Sequence, residues 1–178
     1  QKYAIDNPGG WAGYSENVWG LTACDGPGDF KQVIGGRERE FFSYSARGPG
    51  ERDDGTLAPT ALLGSLPFAP EIVEPTIQAM YFRYGEQLYD KYGFLDSFNP
   101  TIIRRPAQPF RHGEFRLGVG WVDKDYLGID QGPIVAMIFD LENRWARTGA
   151  DMISSIARRM ARALAPEAGT TDGRGFSQ

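Results

Sequence analysis

The sequence predicts an all-α fold carrying long irregular loops, on three observations. Beyond Thr60 the apolar residues recur at helical spacing, as in Ile72, Ile77, Met80, Tyr81 and Tyr84. A strand signal is confined to the short run Glu40–Ser45. The acids and aromatics gather in Gly- and Pro-rich stretches between the helical runs, where helical scaffolds carry their sites.

Each element has its own reason. Residues 1–13 read as an extended lead-in rich in Gly and Pro. Ser15 can cap a short helix over 15–24. Residues 25–57 form a long connection, and loops of that length in a compact domain usually serve a function. A helix is predicted over 60–66 with Pro59 in its first turn, and another over 70–84, ended by Gly85. Tyr89, Tyr92, Phe94 and Phe98 surround Asp90 and Asp96 over 88–98, and a Pro- and Arg-rich loop spans 99–120. Helices over 131–146 and 149–165 close the fold. Residues 170–178 read as a disordered tail, so the domain is assigned to 1–169. No internal repeat is evident.

At 178 residues the chain is one domain or part of one. Its 41% hydrophobic and 24% charged content is ordinary for a globular protein. A net charge of −4 gives no basic footprint for nucleic acid, and Arg158, Arg159 and Arg162 read as the solvated face of a terminal helix. A single cysteine, Cys24, cannot form an intrachain disulfide and reads as a buried thiol. The one histidine, His112, with no Gly-x-Ser-x-Gly elbow, argues against a Ser-His-Asp enzyme and against a His- or Cys-based zinc site. Neither a metal nor an organic cofactor is expected. No apolar run is long enough for a membrane helix.

Three segments carry chemistry. The first, 120–133, places Asp123, Asp125 and Asp130 beside Trp121, Tyr126 and Gln131. Gly132 and Pro133 then open an apolar helical run, which puts Asp130 and Gln131 at a helix N-terminus, where the dipole favours a carboxylate. The second, 11–28, sets Glu16 and Asp25 among Trp11, Tyr14 and Trp19. The third, 52–65, turns at Asp54-Gly55 into a small-residue helix. Aromatic rings stack on the apolar faces of sugars, and carboxyl groups hydrogen-bond their hydroxyls or move protons, so the pattern suits carbohydrate chemistry.

Four blocks resemble a known family. They are Gly-Tyr-Ser-Glu-Asn-Val-Trp-Gly-Leu-Thr-Ala-Cys-Asp-Gly-Pro, Asp-Asp-Gly-Thr-Leu-Ala-Pro-Thr-Ala, Tyr-Gly-Phe-Leu-Asp-Ser-Phe-Asn and Tyr-Leu-Gly-Ile-Asp-Gln-Gly-Pro-Ile. In this order they resemble the bacterial glycoamylase-like domain of endo-β-1,2-glucanases and of the processing domain of cyclic β-1,2-glucan synthases. The resemblance implies an (α/α)6 toroid with its cleft lined by loops at one end of the ring. About twelve helices at ~11–12 residues each need well over 200 residues with their loops. The chain is therefore expected to cover about the C-terminal half, and to need an N-terminal half or a second chain.

The resemblance also points to oligo- or polysaccharide, most of all β-1,2-glucan, as substrate for a glycoside hydrolase or transglycosylase. A periplasmic or secreted location is favoured over a cytoplasmic one. Asp130 and Glu16 are the candidate catalytic carboxyls. Trp11, Tyr14, Trp19, Asp25, Asp54, Asp96, Trp121, Tyr126 and Gln131 are the candidate substrate-binding residues, and all are expected to meet in one cleft with Asp130 and Glu16. Each has a structural reading beside the functional one. Asp130 and Glu16 fit helix starts, Asp25 and Asp54 fit turns, Asp96 fits a loop anchor, and any single aromatic fits the core. Asp123 and Asp125 read as partly solvated around Lys124. The alternative function is a non-catalytic carbohydrate-binding or structural module, or a half-domain that needs a partner.

Overall fold

Gly35 and Gly36 turn the chain where a plain loop was expected. Both adopt positive φ, 58° and 77°, the backbone of a two-residue hairpin turn that residues with a Cβ resist. They join β2 (Phe30–Ile34) to β3 (Arg37–Phe41) in antiparallel register, Phe30 opposite Phe41. Those two rings lie 5.3 Å apart and are buried, so the base of the hairpin is its anchor.

The structure is a computed structural model that describes residues 1–148, with side chains described through residue 139. The chain divides into two units, Gln1–Ile138 and Phe139–Gln178. The expected helix over 149–165, its basic face at Arg158, Arg159 and Arg162, and the tail over 170–178 lie outside the described residues.

The expectation of an all-α chain forming about half of an (α/α)6 toroid is overturned. Among the described residues there are four helices: α1 (Lys2–Asp6), α2 (Pro59–Leu63), α3 (Pro70–Leu88) and α4 (Gly128–Thr148). Nine short strands form four small antiparallel sheets around them. Besides the β2–β3 hairpin, β1 (Ala23–Cys24) pairs with β4 (Ser45–Ala46). β5 (Tyr89–Asp90) pairs with β6 (Gly93–Phe94). β7 (Phe98–Asn99), β9 (Gly120–Val122) and β8 (Glu114–Arg116) form a three-stranded sheet in that order.

Local signals lost to long-range pairing in several places. The extended lead-in is α1. The helix expected over 15–24 is absent: Ser15 and Val18 bridge each other, and the chain ends there as β1. Gly20 explains the geometry, because its carbonyl accepts the Ala58 amide at 3.0 Å and a Cβ there would strike the Ala58 oxygen. Gly85 does not end α3, which runs on to Leu88. The glycine instead makes room for the Tyr81 ring one turn earlier.

The core forms where α3 meets the three-stranded sheet. Val73, Ile77, Met80, Tyr84 and Leu88 recur every three to four residues and are buried. Tyr84 packs 5.1 Å from Phe98, centroid to centroid. Leu57 and Phe98 exchange backbone bonds of 2.8 and 2.9 Å, which adds one more rung to the sheet edge. Trp121, Phe98, Leu57 and Ile102 are fully buried there. Gly120, with φ of 97°, lets β9 lie against the Asn99 carbonyl, where a side chain would collide.

A buried polar knot locks the 42–56 loop onto this core. Arg47 grips Asp54 through two bonds of 2.8 and 2.9 Å, with both side chains at 0% exposure. The guanidinium also donates to the carbonyls of Cys24, Ser45, Phe42 and Ser43. Asp54 accepts the amides of Phe42 and Thr56 as well. Such a pair is tolerated inside a protein only when its remaining donors and acceptors are satisfied, and these are.

Candidate active site

Four acidic segments meet where α4 begins. Asp96 follows β6 within the buried run Phe94–Asn99, and Asp123 follows β9. Backbone bonds stitch the segments together: the Asp96 amide donates to Asp125 O, the Asp123 amide to Ser97 O, and the Ser97 hydroxyl to Asp25 O at 2.9 Å. Asp130 lies in the first turn of α4, whose amides at Asp130 and Gln131 both donate to Leu127 O. The helix starts at Gly128, so Pro133 falls inside it and not at its first position.

Asp96 is the focus. It is fully buried, yet neither carboxyl oxygen has a partner of normal hydrogen-bond geometry among the described residues. Burial pushes its carboxyl up to about 7, helped by the charge and nearby carboxyl of Asp130 and by the charge of Asp123; the Asp25 amide opposes the rise. Asp123 is also buried, with one oxygen accepting the Asp125 amide at 3.1 Å and the other unpartnered. Burial raises its carboxyl too. The partly solvated reading of Asp123 is thereby corrected. Tyr126 brings an unpartnered buried hydroxyl to the same loop, its ring edge-on to Tyr92 at 5.5 Å. Gln131 donates to Phe94 O at 3.2 Å.

The structure therefore brings Asp25, Asp96, Tyr126, Asp130 and Gln131 into one neighbourhood. The remaining candidates lie elsewhere. Glu16 is exposed in the 15–18 turn, and no contact among the described residues joins it to Asp96 or Asp130. Trp19 donates to the Thr76 hydroxyl on α3 at 3.1 Å and, with Tyr14, lines a separate pocket of about 210 Å³. Tyr14 and Trp11 both donate to Asp53, at 2.5 and 2.8 Å. Burial and that bond raise the Tyr14 phenol far above its usual range. Asp54 is committed to Arg47. Trp121 is fully buried, with its indole N–H donated to His112 O at 2.8 Å, so neither ring face is open to a sugar. Cys24 is a buried thiol pushed up to about 12 by burial.

Asp123 was not among the candidates. Its signal was an acid directly after the apolar run Trp121-Val122, a position that buries its carboxyl. No group of three or more His, Cys, Asp or Glu side chains among the described residues is placed to hold a metal ion. No helix of the described residues is long and apolar enough to cross a membrane.

Asp96 and Asp130 are neighbouring carboxyls, a dyad in which burial holds the Asp96 carboxyl up to about 7.

The site is thus a fully buried carboxyl, Asp96, beside Asp130 in the first turn of α4 and the buried Tyr126 hydroxyl. The sequence profile of the Glycoamylase family matches residues 1–149, and the chain belongs to that family. It is 34% identical over 139 residues to an exo-β-1,2-glucooligosaccharide sophorohydrolase of Parabacteroides distasonis, a match covering 78% of this chain and 15% of the relative. The endo-β-1,2-glucanase of Chitinophaga pinensis, solved with sophorotriose and glucose, superposes with a TM-score of 0.58 at 31% identity, covering 79% of this chain and 27% of that one. A β-1,2-glucanase of Parabacteroides distasonis gives 0.57 at 33%, covering 80% and 16%. The chain spans about a quarter or less of the length of these relatives.

Proposed function

We propose that the chain is part of a glycoside hydrolase acting on β-linked glucan, with β-1,2-glucan as substrate. The observation that carries this reading is the buried, unsatisfied Asp96 carboxyl beside Asp130. A group that keeps its proton up to about pH 7 is poised as a general acid for the glycosidic oxygen. Asp130 beside it favours that protonated form. In this reading Tyr126 and Gln131 hold sugar hydroxyls, with Asp25 in the same neighbourhood. The names of the relatives support β-1,2-glucan as the substrate class. The second carboxyl of a hydrolytic pair comes from outside the dyad: Glu16, or the length the relatives have beyond this chain. A polymeric glucan is met in the periplasm or outside the cell, where we place the protein.

The test uses the full-length protein with β-1,2-glucan and a panel of other glucans, with product analysis. Asp96→Asn and Asp130→Asn are each expected to lower turnover at least about 10²-fold, the low end of acid–base contributions. Melting temperature should not fall in either variant. If Asp130 served only as a helix cap, Asp130→Asn would leave turnover near normal and Asp130→Ala would cost about 1 kcal/mol of stability. Binding of glucan without any product would instead support a non-catalytic carbohydrate module, a reading favoured by the small share of the relatives that the chain spans.

A further inference from the structure

Away from the dyad, an open cleft of about 510 Å³ lies between the β2–β3 hairpin, the 8–11 segment and the 50–53 loop. Its size falls within the range of small-molecule sites, ~300–1,000 Å³. Antiparallel pairing sorts the charges of the hairpin by face. Arg37 and Arg39 share the face of Phe30 and Phe41, while Glu38 and Glu40 project to the other face, where Glu38 pairs with Lys31 at 3.4 Å. Arg37 and Arg39 line the cleft together with Glu38 and Glu40 of the same strand.

Three arginines line the cleft. Arg39 lies 4.2 Å over the Trp11 ring and donates to Gly9 O and Gly10 O at 2.9 and 2.8 Å. One terminal nitrogen of Arg37 and one of Arg39 lie 3.6 and 3.7 Å from the point where Gly10 would carry a Cβ, which places the two groups side by side. Burial, then the like charge of Arg37, pulls Arg39 below the ordinary guanidinium range, with Asp53 opposing. Arg52 lines the cleft from the 50–53 loop, stacked 4.2 Å over Phe42 with its Nε bonded to the Ser45 hydroxyl at 2.6 Å. It does so from a backbone φ of 46°, a strained conformation for a residue with a Cβ and a frequent mark of functional positions.

Among the described residues none of the three arginines forms an ion pair. Of the carboxylates lining this cleft, Asp53 is saturated by the Tyr3 and Tyr14 hydroxyls, the Trp11 indole and the Gly55 amide, and Glu38 is paired with Lys31, while neither Glu38 nor Glu40 comes within ion-pair distance of the three arginines. Asp29, the other acid that feels Arg52, is tied to the Ser43 amide and hydroxyl. Holding like charges together without a counter-ion is unfavourable unless an anion completes the set. Forked N–H donors match the oxygens of a phosphate, and a dianion needs more than one cation.

We propose that this cleft is a binding site for a phosphate monoester, with Arg37 and Arg52 as the donors free to reach it and Arg39 fixed by Trp11 and the Gly9–Gly10 carbonyls as the floor. The test titrates the full-length protein with glucose 6-phosphate, with inorganic phosphate and with glucose, following heat and melting temperature at two salt concentrations. Glucose 6-phosphate is expected to bind and raise the melting temperature, more weakly at high salt, and glucose is not. The double variant Arg37→Gln/Arg52→Gln should lose at least tenfold in affinity while keeping the melting temperature of the unliganded protein. Saturation by inorganic phosphate with the same arginine dependence also supports the site. Absence of any phosphate-dependent shift, or a shift equal in the double variant, overturns it. Turnover on glucan is a separate readout, so failure here leaves the dyad reading untouched.

Discussion

Asp96 has the most distinctive chemistry of any residue in the structure. An aspartate held up to about 7 when folded, against an ordinary value near 4, keeps its proton between those limits while the unfolded chain has lost it. The folded state is therefore favoured fully below about pH 4, and that advantage drains away as the pH climbs through about 7. Asp96→Asn removes the titration. Its melting temperature should exceed that of the parent at pH 8, and the difference should vanish near pH 4. A difference that is constant with pH would contradict the assignment. The buried charges of Arg47 and Asp54 satisfy each other. Asp54→Ala leaves a buried guanidinium unpaired and is expected to cost about 3–5 kcal/mol in urea unfolding, with a smaller loss when both partners become apolar. The carboxyl-rich character of the site was legible in the blocks around Asp96 and Asp130. Which acids are structural was not, because Asp54 differs from Asp96 only in having Arg47 folded over it, a contact no local pattern encodes.

α3 was legible in sequence because its buried stripe is local, and α4 because of its apolar run. The strands were not. Most are two or three residues long, too short for alternation to register, and several, such as β1 with β4 and β7 with β9, depend on a partner distant in sequence. The Gly35-Gly36 pair was a readable hairpin signal, overshadowed by the charged residues around it. Gly85 offers a test of how packing outweighs propensity. In an exposed helix, Gly→Ala gains up to about 1 kcal/mol. Here the added Cβ would meet the Tyr81 ring at 3.0 Å, so the ring must move or the helix must shift. Gly85→Ala is expected to lower the melting temperature, and a rise would show that Tyr81 yields freely. Pro75 and Pro133 each sit sixth in their helices and leave the carbonyls of Glu71 and Ile129 without an intrahelical partner. Glu71 and Ile129 are exposed, so water can serve those carbonyls.

At the scale of the whole molecule the family was legible from four ordered blocks, but its helical architecture did not carry over to these residues. Large apolar side chains remain open on several elements: Phe82 on α3 is 81% exposed, Ile129 and Val135 on α4 are 81% and 67%, and Leu117 is 83%. Surfaces of this kind belong against further protein. The 178-residue chain produced alone is expected to bind a hydrophobic dye and to self-associate; a dye-silent monomer in sedimentation would contradict this. The rung between Leu57 and Phe98 also sets a timetable. During synthesis Leu57 leaves the ribosome well before Phe98, and Val122 and Trp121 follow later still. At ~5–20 residues per second the N-terminal third waits on the order of seconds for the strands that complete it. Until then Leu57 has no β-partner and the 42–56 loop has no floor. Assembly must finish from the late-made side, and nascent chains stalled ahead of Trp121 should show no protection of the Leu57 amide from hydrogen exchange.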